Sequence, residues 1–118
     1  MSPGQTQNLD RVLPLKPADF HILMVLLREE LHGYGIMKAV EADSGGRVML
    51  EVGTMYRLIA RLTDEGLIAE SRRSTSERRR YYRITPFGEQ VARLEAHRLA
   101  DVVQVARTYD LLGDSEGM

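Results

Sequence analysis

Six arginines and a single acid, Glu77, fall within the short segment Arg72–Arg83, which reads RRSTSERRRYYR. A guanidinium carries a permanent charge and a planar fork of donors that matches phosphate oxygens. The formal net charge of the 118-residue chain is −1, so positive charge is concentrated here and not spread. A local basic patch of this kind is the electrostatic footprint of nucleic-acid binding. Arg72, Arg73, Arg78, Arg79 and Arg80 are accordingly read as phosphate ligands. Tyr81 is read as a hydrogen-bond donor to phosphate, and Tyr82 as core.

A second group of candidates lies upstream. In Gly53–Glu65, Met55, Leu58, Ile59 and Leu62 recur at helical spacing and form a buried stripe. Thr54, Arg57 and Arg61 then fall on the opposite side, with Tyr56 and Ala60 on a flank. Arg57 and Arg61 stand one turn apart on the outer face. The plainer alternative is a solvated face on which Arg61 pairs with Asp64 or Glu65, as surface ion pairs commonly do. Tyr34 opens another helix, whose N–H groups can seat a phosphate, and Lys38 is a candidate backbone contact. His32 is read as a turn and packing residue. His97 and Asp101 are one turn apart, a spacing that two metal ligands could use across a dimer axis. With no cysteine and no third clustered histidine, an ordinary helix-face pair is the expected reading, and no metal or other cofactor is expected.

These residues need a frame. Pro17 suits a first helical turn, and the first helix is expected over Pro17–Leu31, with Phe20, Leu23, Met24, Leu27 and Leu31 on one stripe. Ile22, Val25 and Leu26 widen the stripe, so part of its cover is expected from a second subunit. The second helix is expected over Tyr34–Asp43 and ends at Ser44-Gly45-Gly46. The third is stopped by Gly66. Leu67–Arg73 and Tyr81–Thr85 follow as a hairpin around the basic tip. Thr85 is the expected N-cap of a last helix from Pro86. Its apolar positions include Val91, Leu94, Leu99, Val102, Val103, Ala106 and Tyr109. That stripe is longer than closure of one small domain requires, as in helices that pair across a two-fold. Phe20, Leu23, Leu27, Val91, Leu94, Leu99, Val102, Val103, Ala106 and Tyr109 are therefore expected at a dimer interface.

Composition narrows the function classes. There is no cysteine, which removes disulfides and thiol chemistry. No apolar run reaches the ~20 residues that span a bilayer, and the N-terminus lacks a secretory pattern. No membrane partner is expected, and the cytoplasm is the simplest location. Scattered histidines and the lack of a nucleophile elbow or P-loop argue against an enzyme.

Helix, helix, helix, hairpin, helix is the order of a winged helix-turn-helix. The chain resembles the PadR-like transcriptional regulators in three ordered blocks. These are His32-Gly33-Tyr34; Gly53-Thr54-Met55-Tyr56 with Arg61-Leu62 and Glu65-Gly66-Leu67-Ile68; and Arg79-Arg80-Tyr81-Tyr82-Arg83-Ile84-Thr85 with Gly88. The resemblance runs over residues 15–112 and is to the small subgroup with one helix after the wing. Two positions depart from the family habit: Val52 and Arg57 stand where proline is frequent. The resemblance implies a mainly α (α+β) chain with a winged helix-turn-helix domain at 14–85, a C-terminal dimerisation helix at 86–112, and flexible tails at 1–13 and 113–118.

It also implies a function. A homodimeric repressor would set the third helix of each copy in the major groove, which displays a distinct pattern for every base pair. The double-stranded DNA operator would be pseudo-palindromic, with half-sites about one helical turn (~34 Å) apart. A small-molecule effector, of unidentified chemistry, would act by changing the separation of the two reading helices. Phe20, Met24, Phe87 and Tyr109 could line a cavity for it, although packed core is the expected role of such residues. Stacking on tryptophan is unavailable, because the chain has none. The competing reading is a winged-helix interaction module whose basic wing docks an acidic protein.

Overall fold

A computed structural model describes residue 9 and residues 11–74 and 79–113. Four long helices and three short strands follow in the order α1 (Pro17–Arg28), β1 (Leu31–His32), α2 (Gly33–Asp43), α3 (Val52–Asp64), β2 (Ile68–Glu70), β3 (Tyr81–Ile84) and α4 (Pro86–Thr108). The strands form one antiparallel sheet with β3 in the centre, between β1 and β2. The architecture is a winged helix: three helices, then a hairpin joined to them through the sheet.

The strand β1 corrects the sequence reading, which ran the first helix on to Leu31. The helix ends at Arg28, and Glu29 is extended. Leu31 and His32 then pair with Tyr82 and Tyr81 of β3. An unpaired strand edge leaves orphan N–H and C=O groups. Here those of β3 capture Leu31, which the apolar period assigns to the first helix, and His32, which was read as a turn residue. The pairing ties the start of α2 to the wing.

Apolar burial holds the helices together. Ile22, Leu23, Val25 and Leu26 of α1 meet Ile36 and Val40 of α2, Met55, Ile59 and Leu62 of α3, and Leu67, Ile68 and Val91 of the wing and α4. Leu23 and Val91 were expected at a subunit interface. Both are fully buried within the chain, so neither offers area to a second copy. Part of the segment read as a tail to residue 13 belongs to the body: Val12 is buried, and Leu9 and Leu13 pack on the core. Residues 1–8, 10 and 114–118 of the expected tails lie outside the described residues.

The helix ends follow their local chemistry. At Gly66 the chain takes φ +79, after which Leu67 N–H closes on Leu62 C=O, the left-handed stop that glycine permits. Thr85 caps α4, its Oγ1 accepting from Gly88 N–H at 2.9 Å. Gly88 itself is required by proximity: a Cβ there would sit 2.1 Å from Leu67 O and 2.8 Å from Ile84 Cγ1. α4 ends at Thr108, short of the expected residue 112, with Tyr109 as C-cap and Asp110 in the left-handed region.

α4 is fastened to the body by Glu95, which is fully buried. Its carboxylate receives Arg98 Nε and Nη2 at 2.9 and 2.7 Å. The bonds from Arg98, against the cost of burial and aided by the Leu15 N–H, hold its pKa below the ordinary carboxylate value. Beyond this point every described residue of α4 except Ala106 is exposed. No helix of the described residues is long and apolar enough to cross a membrane.

Two outcomes test this packing. Gly88→Ala should lower stability to urea by about 3 kcal/mol, as overpacking against rigid backbone does. Gly53→Ala, whose Cβ meets nothing within 4 Å, should raise it by about 0.5–1 kcal/mol. Ionised Glu95 is favoured in the folded chain, so its contribution is complete above about 4.5 and is lost as pH falls through the lowered folded value. Glu95→Gln should therefore be less stable than the native chain at pH 7. That gap should narrow in the acid limb, followed by thermal unfolding from pH 7 to pH 3.

Candidate nucleic-acid interface

Burying Met55, Ile59 and Leu62 commits one side of α3 to the core. The other side is left to solvent. Tyr56 and Arg57 are exposed there, and Thr54 is half-buried. Arg57 Nη2 lies 3.5 Å from Thr54 Oγ1, a contact too long to hold the guanidinium. Val52, the first residue of α3, is 56% exposed and lies one turn before Tyr56. The sequence reading treated it only as a departure from a proline habit. Its spacing of four from Tyr56, outside the buried stripe, was the available signal.

Arg61 is placed differently. It does project from α3 at the boundary with solvent, but its Nη2 donates to both oxygens of Asp19 at 2.9 Å. Its Nη1 is 3.6 Å from Glu65. Of the two acids weighed for it from sequence, Glu65 is within reach, while the stronger partner is Asp19 in the first turn of α1.

α2 starts against this helix. A Cβ on Gly33 would lie 3.0 Å from Met55 Cε and 3.3 Å from Tyr56 Oη, so the absence of a side chain lets the two helices approach. His32 is the N-cap of α2, its Nδ1 accepting from Gly35 N–H at 3.0 Å. That N–H, one of those expected to face a phosphate, is thus already satisfied. Tyr34 is 60% exposed beside it. Lys38 is exposed one turn further, with Nζ 5.8 Å from the Tyr34 ring centroid.

The wing supplies the charge. Arg72, Arg73, Arg79 and Arg80 are all exposed; Arg78 lies outside the described residues. Arg73 stacks over the Tyr81 ring at 4.2 Å, and the same ring meets His32 edge-on at 5.4 Å. Tyr81 is therefore half-buried between two partners, with its backbone N–H bonded to Ser74 Oγ at 2.8 Å. Ser71 is buried at the wing base. It donates to Glu30 and accepts from Arg73 N–H at 3.0 Å. Arg80 Nη1 lies 4.0 Å from Glu70. Tyr82 packs against the core as expected, and burial pushes its phenol pKa up, against the nearby Arg80.

These parts converge. His32, Gly33, Tyr34, Tyr56, Arg79, Arg80 and Tyr82 line one open cleft of about 410 Å³. The start of α2, the N-terminal half of α3 and the wing thus meet on one face. Three tyrosines and two arginines border it. Such a surface can bond phosphate and base edges together, with the wing positioning and the helix reading.

The remaining candidates sit elsewhere. His97 and Asp101 are both exposed on α4, and no group of three His, Asp or Glu side chains lies together among the described residues. Phe20 and Phe87 pack against the core. Leu27, Leu94, Leu99, Val102, Val103 and Tyr109 are exposed, and Ala106 is half-buried.

The model of the transcriptional regulator PadR-like family matches residues 22–94, more than half of the chain. The protein belongs to the PadR-like family of transcriptional regulators. Solved structures agree. A transcriptional regulator from Clostridium thermocellum superposes with a TM-score of 0.67 at 28% identity, over 78% of this chain and 88% of that one. A PadR family transcription regulator from Clostridium difficile R20291 gives 0.66 at 23% identity, over 80% and 98%. Bacillus subtilis PadR, solved in complex with operator DNA, gives 0.56 at 26% identity, over 66% of this chain and 45% of that one. No curated protein sequence matches the chain.

His32→Ala should cost about 1 kcal/mol of stability in urea unfolding, the usual worth of an N-cap acceptor. An unchanged midpoint would show that the Nδ1 contact contributes nothing.

Proposed function

We propose that this PadR-like regulator is a homodimeric repressor that binds a pseudo-palindromic DNA operator. α3 enters the major groove and the wing arginines take the flanking phosphates. The observation that carries the reading is the shared face. Tyr34 of α2, Tyr56 of α3, and Arg79 and Arg80 of the wing line one cleft, and exposed Arg57 and Lys38 neighbour them on α3 and α2. Bacillus subtilis PadR, solved with operator DNA, supports the same use of the fold. Thr54, Tyr56 and Arg57 are the candidate base readers. Val52 joins them as an apolar contact suited to a thymine methyl group. Arg72, Arg73, Arg78, Arg79, Arg80 and Tyr81 are assigned to phosphate.

The second copy is called for by α4. Beyond Glu95 this helix leaves the body, and Leu99, Val102, Val103 and Tyr109 are exposed along it, at 37%, 53%, 43% and 73%. An apolar stripe of this length is an interaction surface. Pairing with the same stripe of a two-fold mate, together with Leu94, Ala106 and Leu27 and Phe20 of α1, would cover it and set the spacing of the two α3 helices. A small-molecule effector would act on that spacing, since a ligand shifts only states it binds differently.

Genomic fragments selected on the purified protein, then titrated against shuffled duplex at several salt concentrations, test the reading. The selected fragments should bind at least about 10³-fold more tightly than shuffled DNA and show paired half-sites. Arg57→Ala should cost about tenfold or more in affinity for the selected site. Val102→Asp should give a monomer by sedimentation and abolish two-half-site binding. Equal affinity for selected and shuffled duplex at every salt concentration would remove sequence-specific regulation and favour a protein-docking wing.

A further inference from the structure

Asp19 is the structure's least expected charge. It is 3% exposed, in the first turn of α1, among the apolar residues of the core. A carboxylate so placed needs a cationic partner. Arg61, 42 residues further on, supplies one, with Nη2 2.9 Å from each carboxylate oxygen. Arg61 stands in the last turn of α3, so the pair ties the far end of that helix to α1.

The tie differs in kind from the packing around it. Apolar contacts are non-directional and let a helix roll slightly on its neighbours. A charge-assisted contact from a planar guanidinium to both oxygens of a buried carboxylate fixes direction as well as distance. Arg61 and Thr54 are separated by seven positions, or about 10 Å along the axis at 1.5 Å per residue. A small roll or tilt released at Arg61 is therefore carried to Thr54, Tyr56 and Arg57. Val12 and Leu15, just before α1, are buried in the same core, so the start of α1 is held on more than one side.

We propose that Asp19 and Arg61 are positioning residues for DNA reading: their ion pair sets the roll of α3 and so selects which base edges Thr54, Tyr56 and Arg57 can reach. The inference rests on the duplex-binding reading above. It assigns Arg61 to holding the helix, not to touching DNA, and it gives an acid remote from the binding face a part in specificity.

The test compares Asp19→Asn, Arg61→Lys and the double variant in the full chain. Each is titrated with a selected fragment and with shuffled duplex at several salt concentrations, well below its melting temperature. Each single change should lower affinity for the selected fragment by about tenfold, and the double should be no worse than either single, as coupled partners behave. Affinity for shuffled duplex should stay within about twofold and the salt slope should not change, because no phosphate contact is lost. Arg61→Lys keeps the charge but has one nitrogen where Arg61 reaches Asp19 with Nη2 and Glu65 with Nη1, so it carries the test if Asp19→Asn folds poorly. Two results would overturn the inference. One is an Arg61→Ala variant whose salt slope falls by about one while Asp19→Asn binds as well as the native chain or better, which would make Arg61 a phosphate ligand. The other is a lower melting temperature with an unchanged ratio of selected to shuffled affinity, which would make the pair structural only. A native chain without preference for any fragment would remove the duplex reading itself.

Discussion

The arrangement of this protein depends on how α3 is seated. Its inner stripe is swallowed by the core, and Gly33 lets α2 approach until Met55 and Tyr56 are in contact distance. Close packing of that stripe decides which side of the helix is inner and which is outer. The outer face is then determined by subtraction: whatever α3 does not bury it must present, and what it presents is Thr54, Tyr56 and Arg57. The central strand β3 completes the constraint. By pairing with β1 on one edge and β2 on the other, it fixes the wing against the start of α2, so the arginine tip and the helix face share a side of the molecule.

The far end of the chain obeys a different logic. α4 begins as core, with Gly88 pressed on Leu67 and Val91 buried, and ends as surface. Glu95 marks the crossover. It is buried and ion-paired with Arg98, and beyond it the helix leaves the core. The exposed valines beyond it are unsatisfied in one copy of the chain. In the proposed dimer, pairing along this stripe would set the spacing of the two α3 helices.

Much of this was legible in the residues because it is local chemistry. Pro17 and Pro86 open helices, Thr85 caps one, Gly66 stops another, and the arginine run marks the wing. What escaped was imposed from a distance. Leu31 and His32 carry no strand signal of their own; they become β1 because β3 has an open edge beside them. Leu23 and Val91 could not be told from interface residues, since a core and a dimer seam ask for the same apolar period. Asp19 gives no signal in the sequence, because an acid near a helix N-terminus is already accounted for by the macrodipole. Only the folded chain brings it to Arg61.

The central claim is that the face shared by α3, the start of α2 and the wing is where duplex DNA binds. Backbone amide shifts of the isotopically labelled protein, followed as a selected duplex is added, test it most directly. The account predicts that the largest changes fall on residues 52–57, on Tyr34 and on residues 79–81, with residues 97–108 of α4 little affected. Changes centred on α4, with the α3 and wing amides unmoved at saturation, would contradict it.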